Sequence, residues 1–108
     1  TIGKHAFEDC TALNNIVIPP SVKSIGGYAF RNCKSLTELT IPPSITIIEV
    51  ATFEDCTALT KITLPSTVNE IQADAFRGCT ALKNLAIPSS VQSLDILGIE
   101  SSVQVTRF

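Results

Sequence analysis

Methionine and tryptophan are absent from the chain, and histidine occurs once, at His5. With a single imidazole, a Ser–His–acid triad has only one candidate base, and no histidine cluster can hold a metal. An excess of positive charge is lacking too. Eight Lys and Arg stand against ten Asp and Glu, a net charge of −2. A chain of that balance has no cationic surface to hold a phosphate backbone, so no nucleic-acid binding is expected. No apolar run approaches the roughly 20 residues a membrane helix needs, so no membrane insertion is expected. No basic segment followed by an apolar one opens the chain, and no signal peptide is expected within it.

What the chain does have is hydrophobic content and order. Of its 108 residues, 44% are hydrophobic and 17% charged, the balance of a packed globular chain rather than a disordered one. Its length fits one domain or a fragment of a larger protein. One period then organises everything. Phe7, Phe30, Phe53 and Phe76 recur every 23 residues without insertion or deletion. Cys10, Cys33, Cys56 and Cys79 keep the same step, as do Leu13, Leu36, Leu59 and Leu82, and Pro19, Pro42, Pro65 and Pro88. The aliphatic sets agree: Ile16, Leu39, Ile62 and Leu85; Val22, Ile45, Val68 and Val91; Ile2, Ile25, Ile48, Ile71 and Leu94.

Within a unit, the stretch around Leu39, Thr40 and Ile41 alternates apolar with polar and predicts a short strand, ended by Pro42. Strands are expected near residues 16–18, 39–41, 62–64 and 85–87. The second half of each unit is too short and too β-branched for a full α-helix. It predicts extended or irregular backbone, with a single helical or 3₁₀ turn near the Phe and Cys. A unit this small cannot bury its apolar face alone, so neighbouring coils must stack like on like, with parallel strands forming a continuous sheet. Glu8, Arg31, Glu54, Arg77 and Glu100 share one repeat position with alternating charge, as such stacking favours.

The pattern Leu-x-x-Leu-x-Ile-Pro, then Ile, then a small residue, Phe-x-x-Cys and x-x-Leu, is carried by Leu36, Leu39, Ile41, Pro42, Ile48, Phe53, Cys56 and Leu59. It resembles the BspA-like class of leucine-rich repeats over residues 1 to about 94. The resemblance implies an α/β-type, strand-rich repeat solenoid: a right-handed leucine-rich-repeat stack with a parallel β-sheet on one face and irregular or short helical turns on the other. Residues 1–108 are then expected to form one solenoid of about four coils plus a degenerate partial one. It also implies a cell-surface or secreted setting, since several proteins of this class are adhesins that bind host or matrix proteins. At the ends the pattern decays. Ile99 and Ser102 stand where Phe and Cys are due, while Val105 and Phe108 keep the apolar positions of a following strand. Thr1 falls in mid-unit, which predicts a fragment, or a first coil packed against another chain.

Four cysteines raise metal and disulfide readings. No Cys-x-x-Cys or Cys/His cluster occurs, and ligands in a straight column cannot converge on one ion. A step near ~5 Å does not itself exclude a disulfide. Same-position side chains, however, point the same way, and buried reduced thiols are expected. Catalysis has little to stand on. His5 lies at a variable repeat position shared with Tyr28, Ala51, Asp74 and Leu97, the mark of a solvated turn. Glu54 and Asp55 have no matched partner pocket, and Gly26-Gly27 lacks the pattern of a phosphate loop. No enzymatic activity and no cofactor are expected.

Binding of a protein partner is the stronger expectation, because a solenoid presents an extended sheet face. Its outward columns are Asn15, Glu38, Lys61 and Asn84, and Val17, Thr40, Thr63 and Ala86, flanked by Asn14, Thr37, Thr60 and Lys83. The face is small-featured and mildly polar, and no aromatic anchor is expected on it. Threonine columns also resemble those of ice-binding solenoids, but Glu38, Lys61 and the asparagines interrupt them. A structural spacer, held in a larger complex through its first coil, needs no chemistry on the face at all.

Overall fold

The alternation of exposed and buried residues in the predicted strands fixes where the coils join. In the computed structural model, which describes residues 1–94 and 103–108, β1 (Glu38–Thr40) pairs in parallel with β3 (Lys61–Thr63). Leu39 lies beside Ile62 and Thr40 beside Thr63, one repeat apart. A second parallel ladder joins β2 (Ile47–Ile48), β4 (Glu70–Ile71) and β6 (Ser93–Leu94), and a bridge from Ile2 to Ile25 continues its pattern in the earlier coils. A third joins β5 (Asn84–Ile87) to β7 (Gln104–Arg107).

Two expectations about the sheet need correction. The strand expected at 16–18 joins no ladder, and no ladder joins β3 to β5 among the described residues. The sheet face is therefore two two-stranded ladders with a gap at each of these places, not one continuous sheet. The last register also breaks the period. Leu85 pairs with Val105, a step of 20 residues instead of 23. The last coil is three residues short, so Val105 takes the place expected for Phe108. Ile99, Ser102 and Glu100 lie outside the described residues.

The turn side is more regular than a helix would make it. No helix occurs among the described residues. Alternate amides leave the coil: Phe7 N donates to Ala29 O at 2.7 Å, Phe30 N to Thr52 O at 2.9 Å and Phe53 N to Ala75 O at 2.9 Å. The residues two before and two after each Phe do the same, as His5 and Asp9 do to Gly27 O and Arg31 O. Amides in between fold back three residues, such as Glu8 N to His5 O and Cys10 N to Phe7 O. Left-handed backbone makes this zigzag. His5, Tyr28, Ala51 and Asp74 have φ of 62°, 61°, 54° and 60°, and Asp9, Asn32, Asp55 and Gly78 have 62°, 63°, 61° and 78°. Asp, Asn and Gly tolerate that region; His, Tyr and Ala occupy it at a cost that the inter-coil bonds offset.

Between the ladders lies one core cluster. Phe30, Phe53 and Phe76 are buried and stacked, with nearly parallel rings whose centroids are 5.6 Å apart for the first pair and 5.7 Å for the second. Phe7, in the first coil, is only partly buried but stacks on Phe30 at 5.4 Å. A hydroxyl column runs beside the prolines. Ser44, Thr67 and Ser90 each donate to the carbonyl of the residue 22 before, namely Val22, Ile45 and Val68.

Candidate protein-contact face

Strand alternation puts Leu39, Ile62 and Leu85 inward and their neighbours out. All eight expected contact residues, Asn15, Val17, Glu38, Thr40, Lys61, Thr63, Asn84 and Ala86, are solvent-exposed. Glu38 lies opposite Lys61 across the β1–β3 ladder, yet the two form no ion pair. Each gap in the sheet opens as a groove. One, of about 450 Å³, runs between residues 15–18 and β1 and is closed at one side by Pro20, Pro42 and Pro43. The other, of about 540 Å³, runs between β3 and β5. The expectation of no aromatic on this face is overturned here, because Phe108 lines the second groove and is 54% exposed. The shortened last coil brings it there, and its frame shift hid it in the sequence.

The remaining chemistry of the chain points inward or stays single. Cys33, Cys56 and Cys79 are buried, and Cys10 in the first coil is partly so; all four stand as thiols. The sequence reading missed their hydrogen bonds. Cys33, Cys56 and Cys79 Sγ donate to the main-chain oxygens of Phe7, Phe30 and Phe53, at 3.2, 3.1 and 3.1 Å. Each of these oxygens also accepts the amide of its own coil's cysteine. Burial is the main cause that pushes the Cys33 thiol up to about 11, with charge on neighbouring Cys10 adding to it, and it drives Cys56 higher still. Both values lie above the ordinary 9.0, so below about pH 9 the thiols are neutral in either state. Above it the unfolded chain loses protons that the folded chain keeps, and stability falls as pH rises toward 11. Thermal melts from pH 7 to 11 should show that decline, and Cys33→Ala with Cys56→Ala should flatten it.

Arg31 carries the charge column. Its Nε donates to Glu54 at 2.6 Å and its Nη1 to Glu8 at 3.1 Å. These bonds to two carboxylates raise its pKa further. Glu8 also meets His5 Nδ1 at 2.7 Å, and His5 stacks on Tyr28 with centroids 4.9 Å apart. His5 is thus an exposed turn residue, as its variable position implied, held by a carboxylate and a ring. Its ring hydrogen-bonds to Glu8, and no serine or threonine hydroxyl among the described residues bonds to it. Among the described residues, no three His, Cys, Asp or Glu gather where a metal could bind, and no helix is long and apolar enough to cross a membrane.

The comparisons follow the same geometry. A family model described as BspA type leucine rich repeat region matches residues 1–104 in six copies. A leucine-rich repeat protein from Bacteroides ovatus is 33% identical over all of this chain, with a TM-score of 0.89. A leucine rich cell surface protein from Faecalibacterium prausnitzii is 31% identical over 99% of it, with a TM-score of 0.88. The chain spans 29% of the length of each. A leucine rich repeat protein of T. pallidum is 31% identical over 97% of this chain and 44% of its own, with a TM-score of 0.70. No curated protein matches the chain.

Proposed function

Since the chain belongs to the BspA-type leucine-rich repeat family, a class of protein-interaction scaffolds, we propose that it is a non-enzymatic, adhesin-like recognition module at a cell surface or in secretion. Its contact surface is the strand face formed by Asn15, Val17, Glu38, Thr40, Lys61, Thr63, Asn84 and Ala86. Residues 1–108 act as one right-handed solenoid unit in this reading. The carrying observation is that all eight side chains stand exposed, six of them on strands whose alternate residues Leu39, Ile62 and Leu85 are locked in the core. A rigid backing of that kind lets short side chains present a fixed surface with little entropy lost on binding. The name of the F. prausnitzii relative, a cell surface protein, supports the location. No catalytic family is indicated by the matches, and the site holds no arrangement that calls for one.

The test is capture by a panel of immobilised host-surface and matrix proteins. Thr40→Arg with Thr63→Arg should weaken capture about tenfold or more by placing bulky charge on the face. Thr57→Arg with Thr80→Arg, on the exposed turn side, should leave capture unchanged. The reverse pattern would overturn the assignment of the face. A second reading has its own observation. Phe7, Leu13 and Ile16 are only partly buried, whereas Phe30, Leu36 and Leu39, one repeat on, are buried. A spacer role, docked through the first coil, predicts that Phe7→Glu abolishes assembly while the face variants leave it intact.

A further inference from the structure

We propose that the groove between residues 15–18 and β1 receives an aromatic side chain from an extended, basic peptide segment of a protein partner. This rests on the reading of the strand face as a contact surface and names what that surface takes. Two observations converge on it.

The first is that the chain already sets an aromatic side chain in the lining of the equivalent groove. The two grooves are built from the same repeat positions, 46 residues apart: Asn15 and Lys61, Val17 and Thr63, Ile18 and Leu64, Glu38 and Asn84, Thr40 and Ala86. In both, neighbouring segments lack a ladder, and apolar residues line the floor: Leu39 with the partly buried Ile16 in one, Ile62 in the other. In the β3–β5 groove, the chain's own Phe108 joins the lining, at the end of the exposed strand Gln104–Arg107. The groove beside β1 has no such ring, and Val17 on its rim is 90% exposed. Its volume of about 450 Å³ and its proline wall suit a flat apolar side chain.

The second is charge. The lining of the groove beside β1 includes Glu38 and that of the β3–β5 groove includes Lys61, its neighbour across the β1–β3 ladder, and among the described residues neither is in an ion pair. A basic residue next to the aromatic one is therefore favoured at the first groove and repelled at the second. An extended segment also finds main-chain groups there, because no backbone hydrogen bond joins residues 14–18 to 37–41.

The probe is an acetylated, amidated peptide, Gln-Val-Thr-Arg-Phe, the sequence of residues 104–108. Titrated into the ¹⁵N-labelled chain, it should shift amide signals of residues 15–18 and 38–40. Replacing its Phe by Ala should abolish the shifts. Glu38→Lys should weaken binding about fivefold, whereas Lys61→Glu should change it less than about twofold. Both substituted positions are exposed, and an unchanged melting temperature verifies that the fold is kept. Shifts confined to 60–64 and 84–86, indifference to Glu38→Lys, or no shifts at about 2 mM peptide would each overturn the proposal. The strand-face reading is judged separately, by the paired arginine variants against whole proteins, and it survives a peptide that fails here.

Discussion

Phe53→Ala is expected to destabilise the chain by about 3–5 kcal/mol, from lost burial and from the cavity left behind. The middle coil has no way to collapse around that hole. The ring is 0% exposed and lies between Phe30 and Phe76, stacked on both. On its own backbone, Phe53 N is tied to Ala75 O, and Phe53 O accepts both Cys56 N and the Cys79 thiol. Neighbouring coils therefore cannot slide in to fill the space without breaking these bonds. Against a total stability of about 5–15 kcal/mol for an ordinary domain, the loss is large. Urea denaturation should show a lower midpoint with little change in slope. An unchanged midpoint would mean that Phe53 is not part of the core stack.

Cys56→Asp is expected to cost about as much, again 3–5 kcal/mol, because it buries a charge with no counter-ion. The geometry sharpens the penalty. Cys56 Sγ points at Phe30 O, 3.1 Å away, so a carboxylate would face an acceptor where the thiol offers a proton. Cys56→Ala, by contrast, should cost on the order of 1 kcal/mol, since one heavy atom and a weak bond are lost. Cys56→Ser keeps a donor for Phe30 O and should also be mild. A charge-tolerant Cys56→Asp, with melting unchanged at pH 7, would show that the position is not enclosed. Thiol titration gives the companion result: slow reaction in native buffer, and four reactive thiols in denaturant without reductant. Fewer than four would mean disulfides.

The period made the stack legible, because a 23-residue step at so many positions leaves only like-on-like packing for burial. It placed Phe30, Phe53 and Phe76 in the core, the cysteines in one column, and the exposed columns on one face. Hydrogen bonds between coils were less legible. Asp9, Asn32, Asp55 and Gly78 are a left-handed signature that could have been read, since these residue types favour positive φ. His5, Tyr28 and Ala51, which share the conformation, carry no such mark. There the backbone is set by amides reaching the next coil, a tertiary cause invisible in local composition. Phe108 was missed for another reason. Counting in 23s places it on the wrong strand position, and only the shortened last coil moves it to the β3–β5 groove. The missing ladder at 16–18 has no sequence sign either, since Ile16-Val17-Ile18 is as β-prone as its counterparts.

The most direct measurement of the central claim, that the strand face is the contact surface, is hydrogen–deuterium exchange of the chain alone and saturated with a captured protein. Peptides covering residues 14–18, 37–41, 60–64 and 83–87 should gain protection on binding, while those covering 5–11, 28–34 and 51–57 on the turn side exchange as before. Protection confined to the turn-side peptides, with the strand peptides unchanged, would contradict it.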